Sequence, residues 1–396
     1  MTTTPADIQQ IVAQIHAAPP QLVLEFAGAG SLGLWWLHSV GGSSRTILEA
    51  TDRYAYASLN DLLGSPPQRA VAIETALAMA SHAYRRARLL AHAERKPHQS
   101  ALPLLGVACT ATIATDYTKR GQHRGVVAVQ HATGSTAYAL TLIKGLRERE
   151  HEESLISRLL LHAIARSCGL AVPNLLPTLT SSEVIEEHHQ MATDPLARLL
   201  RGDVRSVTVY PDGRQVANDA VQGALLSGSF NPLHAGHIRL AEVAASTLGQ
   251  PALFELPIHN ADKGTLIAEE IERRMQQFAG RYPVVLSRAA LFTEKALIFP
   301  GCTFVVGYDT ALRLVNPRYY GNPDDPTTAE IAMHAAFEQI RAAHCRFLVA
   351  GRVHQGQFQT LADIVIPPAF ADMFQAVSEE LFRVDLSSSE IRARNE

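Results

Sequence analysis

Residues 224–249, ALLSGSFNPLHAGHIRLAEVAASTLG, constrain the fold more tightly than any other stretch. A short apolar run of strand length breaks at a turn holding Gly228, Pro232 and Gly236. The apolar spacing then turns helical and stops at Gly249. Strand, tight turn and helix in direct succession start a βαβ unit, which needs a parallel sheet with helices laid over it. The pattern repeats downstream. PALFELPI, VVLSRA, TFVVGYD, CRFLVAG and DIVIPP read as strands, and the stretches from Ile267 and from DPTTAEIAMHAAFEQIRAAH read as helices. This predicts a doubly wound α/β domain over 221–396, with GSFNPLHAGH in its first β–α turn.

The N-terminal half has its own alternation. Residues 5–17 suit an amphipathic helix, QLVLEFA a strand and SLGLWWLHSV a helix. RTILEATDRYA, LPLLGVACTATIA and RGVVAVQHA read as further strands. Ser65, Pro66 and Pro67 suit the opening of a long helix, and HEESLISRLLLHAIARSCGL ends the half as a helix leaving through Gly169. The expectation is an α/β domain over 1–172 with a parallel or mixed sheet covered on both faces. Residues 173–220 change character and read as a connector. Within it, DVRSVTVYPDGRQV suits a β-hairpin. His188 and His189 read as a solvated helix face, because adjacent helical residues do not converge on one ion.

Composition narrows the function. The 396 residues are 47% hydrophobic and 18% charged, with a formal net charge of −3. Two globular domains fit that length, and no basic surplus argues for a nucleic-acid partner. The N-terminus lacks the basic-then-apolar order of a secretory signal, and no apolar run is long enough to span a membrane, so a cytoplasmic protein is expected. Cys109, Cys168, Cys302 and Cys345 are scattered, which argues against a cysteine zinc site or a disulfide framework. No metal site is expected.

GSFNPLHAGH sits where open parallel sheets bind ligands, beyond the carboxyl end of a strand. Gly228 lets the chain turn and leaves room beside the backbone, and Pro232 stiffens the turn. Gly236 keeps a side chain away from the helix start, where free N–H groups and the dipole favour an anion. His234 and His237, three apart, can address the same anion. A metal reading needs a third ligand that nothing nearby clearly supplies, and a Walker-type GxxxxGK[ST] is absent.

The stretch resembles the signature of the nucleotidyltransferase superfamily, whose HxGH motif corresponds to His234-Ala235-Gly236-His237. Leu386-Ser387-Ser388-Ser389-Glu390-Ile391-Arg392 is similar to that superfamily's second, Ser/Thr-rich element. The nearest pattern is that of nicotinamide mononucleotide adenylyltransferases, with Gly307-Tyr308-Asp309 matching a nucleotide-holding GxD segment and Lys263 in the second-strand loop. The resemblance implies a Rossmann-like domain that moves a nucleoside monophosphate, with ATP as the expected donor, to a phosphorylated acceptor, releasing pyrophosphate. His234, His237, Lys263 and Arg392 would act on phosphate charge. Gly228, Ser229, Phe230, Asn231, Gly236, Gly307, Asp309, Ser388 and Ser389 would bind the nucleotide. Mg²⁺ would ride on the triphosphate. Another phosphorylated metabolite with ATP or CTP stays open, as does a nucleotide sensor without turnover. Relatives that use nicotinamide often stack its ring on a tryptophan, but the only tryptophans here are Trp35 and Trp36. Tyr308, Tyr319 or Tyr320 could replace it.

Residues 5–170 resemble the C-terminal, nicotinamide mononucleotide deamidase-like domain of CinA proteins. Glu25-Phe26-Ala27-Gly28-Ala29-Gly30 stands at that family's AESCTGG-like loop, and Gly41-Gly42-Ser43-Ser44 at its GSS segment. Cys109 to Asp116 stands before Lys119-Arg120-Gly121-Gln122-His123-Arg124. Phe26 and Ala27 offer no nucleophile and Ser31 is offset, so the expectation is a degenerate, non-hydrolytic domain. Ser43, Ser44, Thr110, Lys119, Arg120 and Arg124 could still line a phosphate pocket, or the domain could serve oligomerisation. A homo-oligomer is expected.

Overall fold

The structure, a computed structural model, describes residues 4–95, 100–117, 119–172, 176–260, 264–321, 325–354 and 357–383. The chain divides into two compact units, Met1–Thr193 and Asp194–Glu396.

In the N-terminal unit the order is α1 (Ala6–Ala17), β1 (Gln21–Ala27), α2 (Ser31–Ser39), α3 (Ser43–Thr46), β2 (Ile47–Asp52), α4 (Tyr56–Leu63), α5 (Ile73–Glu94), β3 (Leu104–Thr112), β4 (His123–His131), β5 (Gly134–Leu142), α6 (Arg149–Ser167) and β6 (Ile185–Met191). The sheet runs β2-β1-β3-β4-β5-β6. Its first three strands are parallel and the rest antiparallel, the mixed sheet expected. Alternate residues feed two cores, as strand geometry requires. Leu22, Leu24 and Phe26 of β1 join Leu105, Val107 and Cys109 of β3 and the apolar face of α6. Ala27, Ala108, Val126 and Ala128 point the other way, into Ala76, Met79 and Ala80 of α5. α5 packs close because β3 carries Gly106 there, where a Cβ would come within 2.1 Å of the Tyr84 nitrogen.

In the C-terminal unit follow α7 (Pro195–Arg201), β7 (Ser206–Val209), β8 (Gln215–Ala217), β9 (Ala224–Ser227), α8 (Ala235–Leu248), β10 (Ala252–Pro257), β11 (His259–Asn260), β12 (Gly264–Thr265), α9 (Ala268–Met275), β13 (Val284–Ser287), α10 (Phe292–Ile298), β14 (Thr303–Gly307), α11 (Tyr308–Leu314), α12 (Pro326–Ala342), β15 (Arg346–Ala350), β16 (Arg352–His354), β17 (Gln357–Gln359) and β18 (Phe374–Ala376). The main sheet runs β18-β15-β14-β9-β10-β13-β7-β8. All its pairs are parallel except β13–β7 and β7–β8. After β9 the chain builds β10 and β13 on one side, then returns to place β14, β15 and β18 on the other. The order therefore reverses between β9 and β14, the crevice where such sheets bind ligands. Helices cover both faces. Leu226 faces α8 through Leu240 and Ala244, while Leu225 faces α12 through Phe337 and Ile340.

Four expectations need correction. The connector over 173–220 does not stand apart. β6 extends the N-terminal sheet by pairing with β5, and the β7–β8 hairpin extends the C-terminal sheet through β13, because each satisfies a sheet edge. His188 and His189 lie on strand β6, not on a helix, and a strand sends neighbouring side chains to opposite faces. The long helix begins at Ile73 rather than near Ser65. Ala72 precedes it with no side chain to cap it, and Pro66 and Pro67 lie in the irregular approach. DIVIPP forms no strand. Leu361–Asp363 is a short 3₁₀ turn, Val365 is 90% exposed, and the sheet edge is taken by β18 instead. Pro367 and Pro368 lack the N–H groups a ladder needs.

Gly106→Ala should destabilise the N-terminal unit by about 3 kcal/mol, since the new methyl meets helix backbone that cannot step aside. Urea unfolding followed by far-ultraviolet dichroism measures it, and an unchanged midpoint would refute the close α5–β3 contact.

Candidate functional site

Beneath the switch point lies a buried charge cluster. Glu255 of β10 and Lys295 of α10 are 0% and 3% exposed, and their charges meet at 2.5 Å. Ser227, the last residue of β9, donates to Glu255 Oε2 at 2.5 Å and accepts from Lys295 Nζ at 3.0 Å. Ser287, the last residue of β13, donates to Glu255 Oε1. Two buried charges are tolerated only when their remaining lone pairs and protons are satisfied, and the two serines do that here. The cluster ties three neighbouring strands together just where the chain leaves β9.

The turn itself is held from the side by α9 and the residues just after it. Arg274 donates to the Ser229 carbonyl at 3.0 Å and Arg273 to Asn231 Oδ1 at 2.6 Å. Gln277 donates to the Phe230 carbonyl at 2.9 Å and accepts from the Leu233 N–H at 2.7 Å. Both arginines are steadied by Glu270. Burial works to raise the Glu270 carboxyl, but the hydrogen bonds and charges of Arg273 and Arg274 outweigh it and bring it down to about 2. It is therefore an anion at any physiological pH.

Phe230 has φ +45°, a region that aromatic residues seldom enter. Its ring is fully buried, edge-on to Phe254, Phe278 and His237. Tertiary packing imposes the conformation. It also explains Gly228, where a Cβ would come within 2.8 Å of the Phe230 ring. Room for Phe230, rather than a left-handed turn, demands that glycine.

His234 is the residue just before α8, and His237 is in its first turn. The two imidazoles stack, with centroids 3.8 Å apart. His237 Nδ1 accepts from the His234 backbone N–H at 3.3 Å, so in the neutral ring the proton sits on Nε2. Burial, and then the neighbouring His234, push the His237 imidazole down to about 4, and burial also lowers His234. Without a ligand both rings are neutral at pH 7. His237 Nε2–H remains a donor beside a helix N-terminus, an arrangement suited to phosphate oxygens. Gly236 is buried in the same turn.

Across the switch point, Gly307 ends β14 and precedes α11. Among the described residues, a Cβ there would meet nothing within 4 Å. Asp309, in the first turn of α11, pairs with Arg352. Tyr308 is buried in the core and Tyr320 is half-buried, its hydroxyl donating to the Leu314 carbonyl at 2.8 Å. Tyr319 is 49% exposed beside Arg318, whose guanidinium lies 4.8 Å from its ring centre. Lys263, Ser388, Ser389 and Arg392 lie outside the described residues.

The structure thus brings Gly228, Ser229, Phe230, Asn231, His234, Gly236 and His237 into one turn, with Gly307 at the end of the adjacent strand β14 and Asp309 in the helix that follows it. Glu255, Lys295, Arg273, Arg274 and Gln277 escaped sequence reasoning. The i,i+3 and i,i+4 pairing of Glu270 with Arg273 and Arg274 was legible, but not its target. Nothing local marks Lys295 as buried.

In the N-terminal unit the corresponding β1–α2 turn is closed by the protein itself. The Glu153 carboxylate accepts from the Gly30 and Leu32 N–H groups at 2.9 and 3.1 Å, and from the Ser31 and Ser157 hydroxyls at 3.3 Å each. Phe26 and Ala27 are buried, and Glu25 pairs with Arg53 at 2.8 Å. The Thr110 hydroxyl donates to the Ala70 carbonyl at 2.8 Å. Lys119 donates to Thr112 Oγ1 and to the Ile113 carbonyl. Of the six residues expected to line a phosphate pocket, Arg124 alone borders a cavity of about 510 Å³ beside α5.

Two tests address the scaffold. Lys295→Met should cost about 3–5 kcal/mol by stranding the buried Glu255 carboxylate, and Lys295→Met with Glu255→Met should recover most of it. Equal losses in both, by denaturant unfolding, would contradict the pairing. Histidine NMR should show His237 titrating near pH 4 in the free protein, with its midpoint moving up when a non-hydrolysable triphosphate is added. A free-state midpoint near the ordinary 6.5 would exclude the buried, stacked geometry.

Comparison with known proteins follows the same division. Solved structures similar to the N-terminal part of the chain include a competence/damage-inducible protein, CihA, from Agrobacterium tumefaciens. It is 19% identical, with 43% of this chain and 98% of that one covered at a TM-score of 0.33. A CinA-superfamily protein from Escherichia coli is 15% identical, covering 42% and 92% at 0.30. A competence or damage-inducible protein from Enterobacter asburiae is 10% identical, covering 42% and 98% at 0.32. No curated protein sequence matches the chain significantly. Residues 225–394 match the family model described as cytidylyltransferase-like, and the C-terminal unit thereby carries a domain of the nucleotidyltransferase superfamily.

Proposed function

We propose that the C-terminal unit transfers a nucleoside monophosphate, AMP from ATP in the leading reading, to a phosphorylated acceptor such as nicotinamide mononucleotide, with release of pyrophosphate. The observation that carries the reading is the pair of stacked, neutral imidazoles at the start of α8, beside the switch point of a parallel sheet. The acceptor phosphate is already anionic and needs no general base. The task of the protein is then positioning and charge stabilisation. His237 Nε2–H donates to a phosphate oxygen, and His234 stacks on it and holds its orientation. Helix N–H groups add their partial positive charge as charge builds at the α-phosphate. Gly307, with open space where a side chain would stand, lets a nucleotide approach the backbone of β14. Lys263, Ser388, Ser389 and Arg392 are assigned to the outer phosphates on the sequence resemblance alone. Mg²⁺ would arrive on the triphosphate and offset its charge. Of the three tyrosines considered for stacking on an acceptor ring, Tyr319 is the exposed one.

CTP in place of ATP remains the alternative donor, since the matched family is described as cytidylyltransferase-like. The N-terminal unit is assigned no amidase activity. Its β1–α2 turn offers Phe26 and Ala27, and its helix start is occupied by Glu153.

Pyrophosphate release from ATP and from CTP, measured with a panel of phosphorylated acceptors, tests the reaction. His237→Ala should lower kcat by about 10²–10³-fold, the usual loss of one transition-state donor. Unchanged turnover would remove His237 from the scheme, and ammonia released from nicotinamide mononucleotide would refute the inactive N-terminal unit.

A further inference from the structure

The N-terminal unit contains a cavity of about 510 Å³ that the transfer reaction does not use. That volume is in the range of small-molecule sites. It lies where residues 65–72 approach α5, and Ile73, Glu74 and Thr75 of the first helical turn line it. α5 is 22 residues long and starts without a side-chain cap, so the positive end of a long helix dipole belongs to the wall.

The charged groups on that wall are mostly cationic. Arg69 comes from the approach to the helix and Arg124 from β4, while burial and then Arg85 hold the His82 imidazole, two turns into α5, below its ordinary range, so it adds no charge near pH 7. Against them stands one carboxylate, Glu74. Among the described residues, Arg124 Nε is buried and has no hydrogen-bond partner. The rest of its guanidinium is partly exposed and ion-paired at 4.0 Å with Glu186 on the exposed strand β6. A buried guanidinium nitrogen left without an acceptor is costly, and an anion in the cavity would supply one. The rest of the lining sets apolar Leu63, Val71, Ile73 and Ala78 beside polar Ser65, Gln68 and Thr75. An inorganic ion would leave that surface wet.

We infer that this cavity binds a small organic phosphate, with its anionic group between Arg124, Arg69 and the start of α5 and its apolar body against Leu63, Val71 and Ile73. The site is separate from the β1–α2 turn, whose helix start is already occupied by Glu153.

Titration of the full chain with 1-naphthyl phosphate tests this, with 1-naphthol as the neutral analogue and inorganic phosphate as the head group alone. Binding of 1-naphthyl phosphate is expected, at least tenfold tighter than either control. Arg124→Ala and Arg69→Ala should each weaken it about tenfold or more, as loss of one charge-assisted hydrogen bond does. Glu74→Gln should strengthen it. Arg69 is exposed on an irregular segment, so that variant keeps the test valid if Arg124→Ala does not fold. Binding that is equal for the phosphate and the alcohol, unchanged in Arg69→Ala, or absent would overturn the inference. The proposed transfer reaction would stand or fall separately, on pyrophosphate release.

Discussion

The buried Lys295–Glu255 pair sets the geometry on which the site depends. It joins the ends of β9, β10 and β13 through Ser227 and Ser287, with both charged side chains buried. Such a pair adds little net stability over an apolar alternative, but it penalises every arrangement that separates its members. The strand ends are therefore fixed where the turn begins. α9 fixes the other side of the turn through Arg273 and Arg274, and Gln277 just beyond its end does the same. Between these two supports the chain accepts a positive φ at Phe230 and delivers His234 and His237 to the start of α8. Side chains on a braced turn keep their geometry better than side chains on a free loop.

Both units place a helix N-terminus after a parallel strand, α2 after β1 and α8 after β9, and the same electrostatics reach different outcomes. In the N-terminal unit Glu153 supplies the anion from within, so the free N–H groups of Gly30 and Leu32 are satisfied by the fold. In the C-terminal unit no carboxylate takes that place among the described residues. His237 spends one ring nitrogen on the His234 backbone and keeps the other. A helix start whose N–H groups are already bonded by the protein has none left for a ligand anion.

Much of the fold was legible because strands and helices impose different periods on apolar residues. QLVLEFA, CRFLVAG and the helix ending at Gly249 form as the pattern requires. The failures share one cause. Ser65-Pro66-Pro67 and DIVIPP carry good local signals for a helix start and a strand, yet what decided them was whether a neighbour was there to pair or pack. β6 shows the reverse. Its residues Ile185–Met191 are polar and mostly exposed, and β5 makes them a strand by offering an open edge.

The sequence alone determined the α/β class of both halves, the β–turn–α unit at 224–249 and the identity of the two histidines at its helix start. Those are properties of local spacing, and local spacing is written in the chain. Tertiary structure decided why Gly228 must be glycine, which tyrosine stays exposed, and that Glu153 closes one helix start while the other stays open. It also buried Lys295 against Glu255, 40 residues apart in sequence. Contacts between distant residues depend on how the sheets close, and no window of neighbouring residues contains that information.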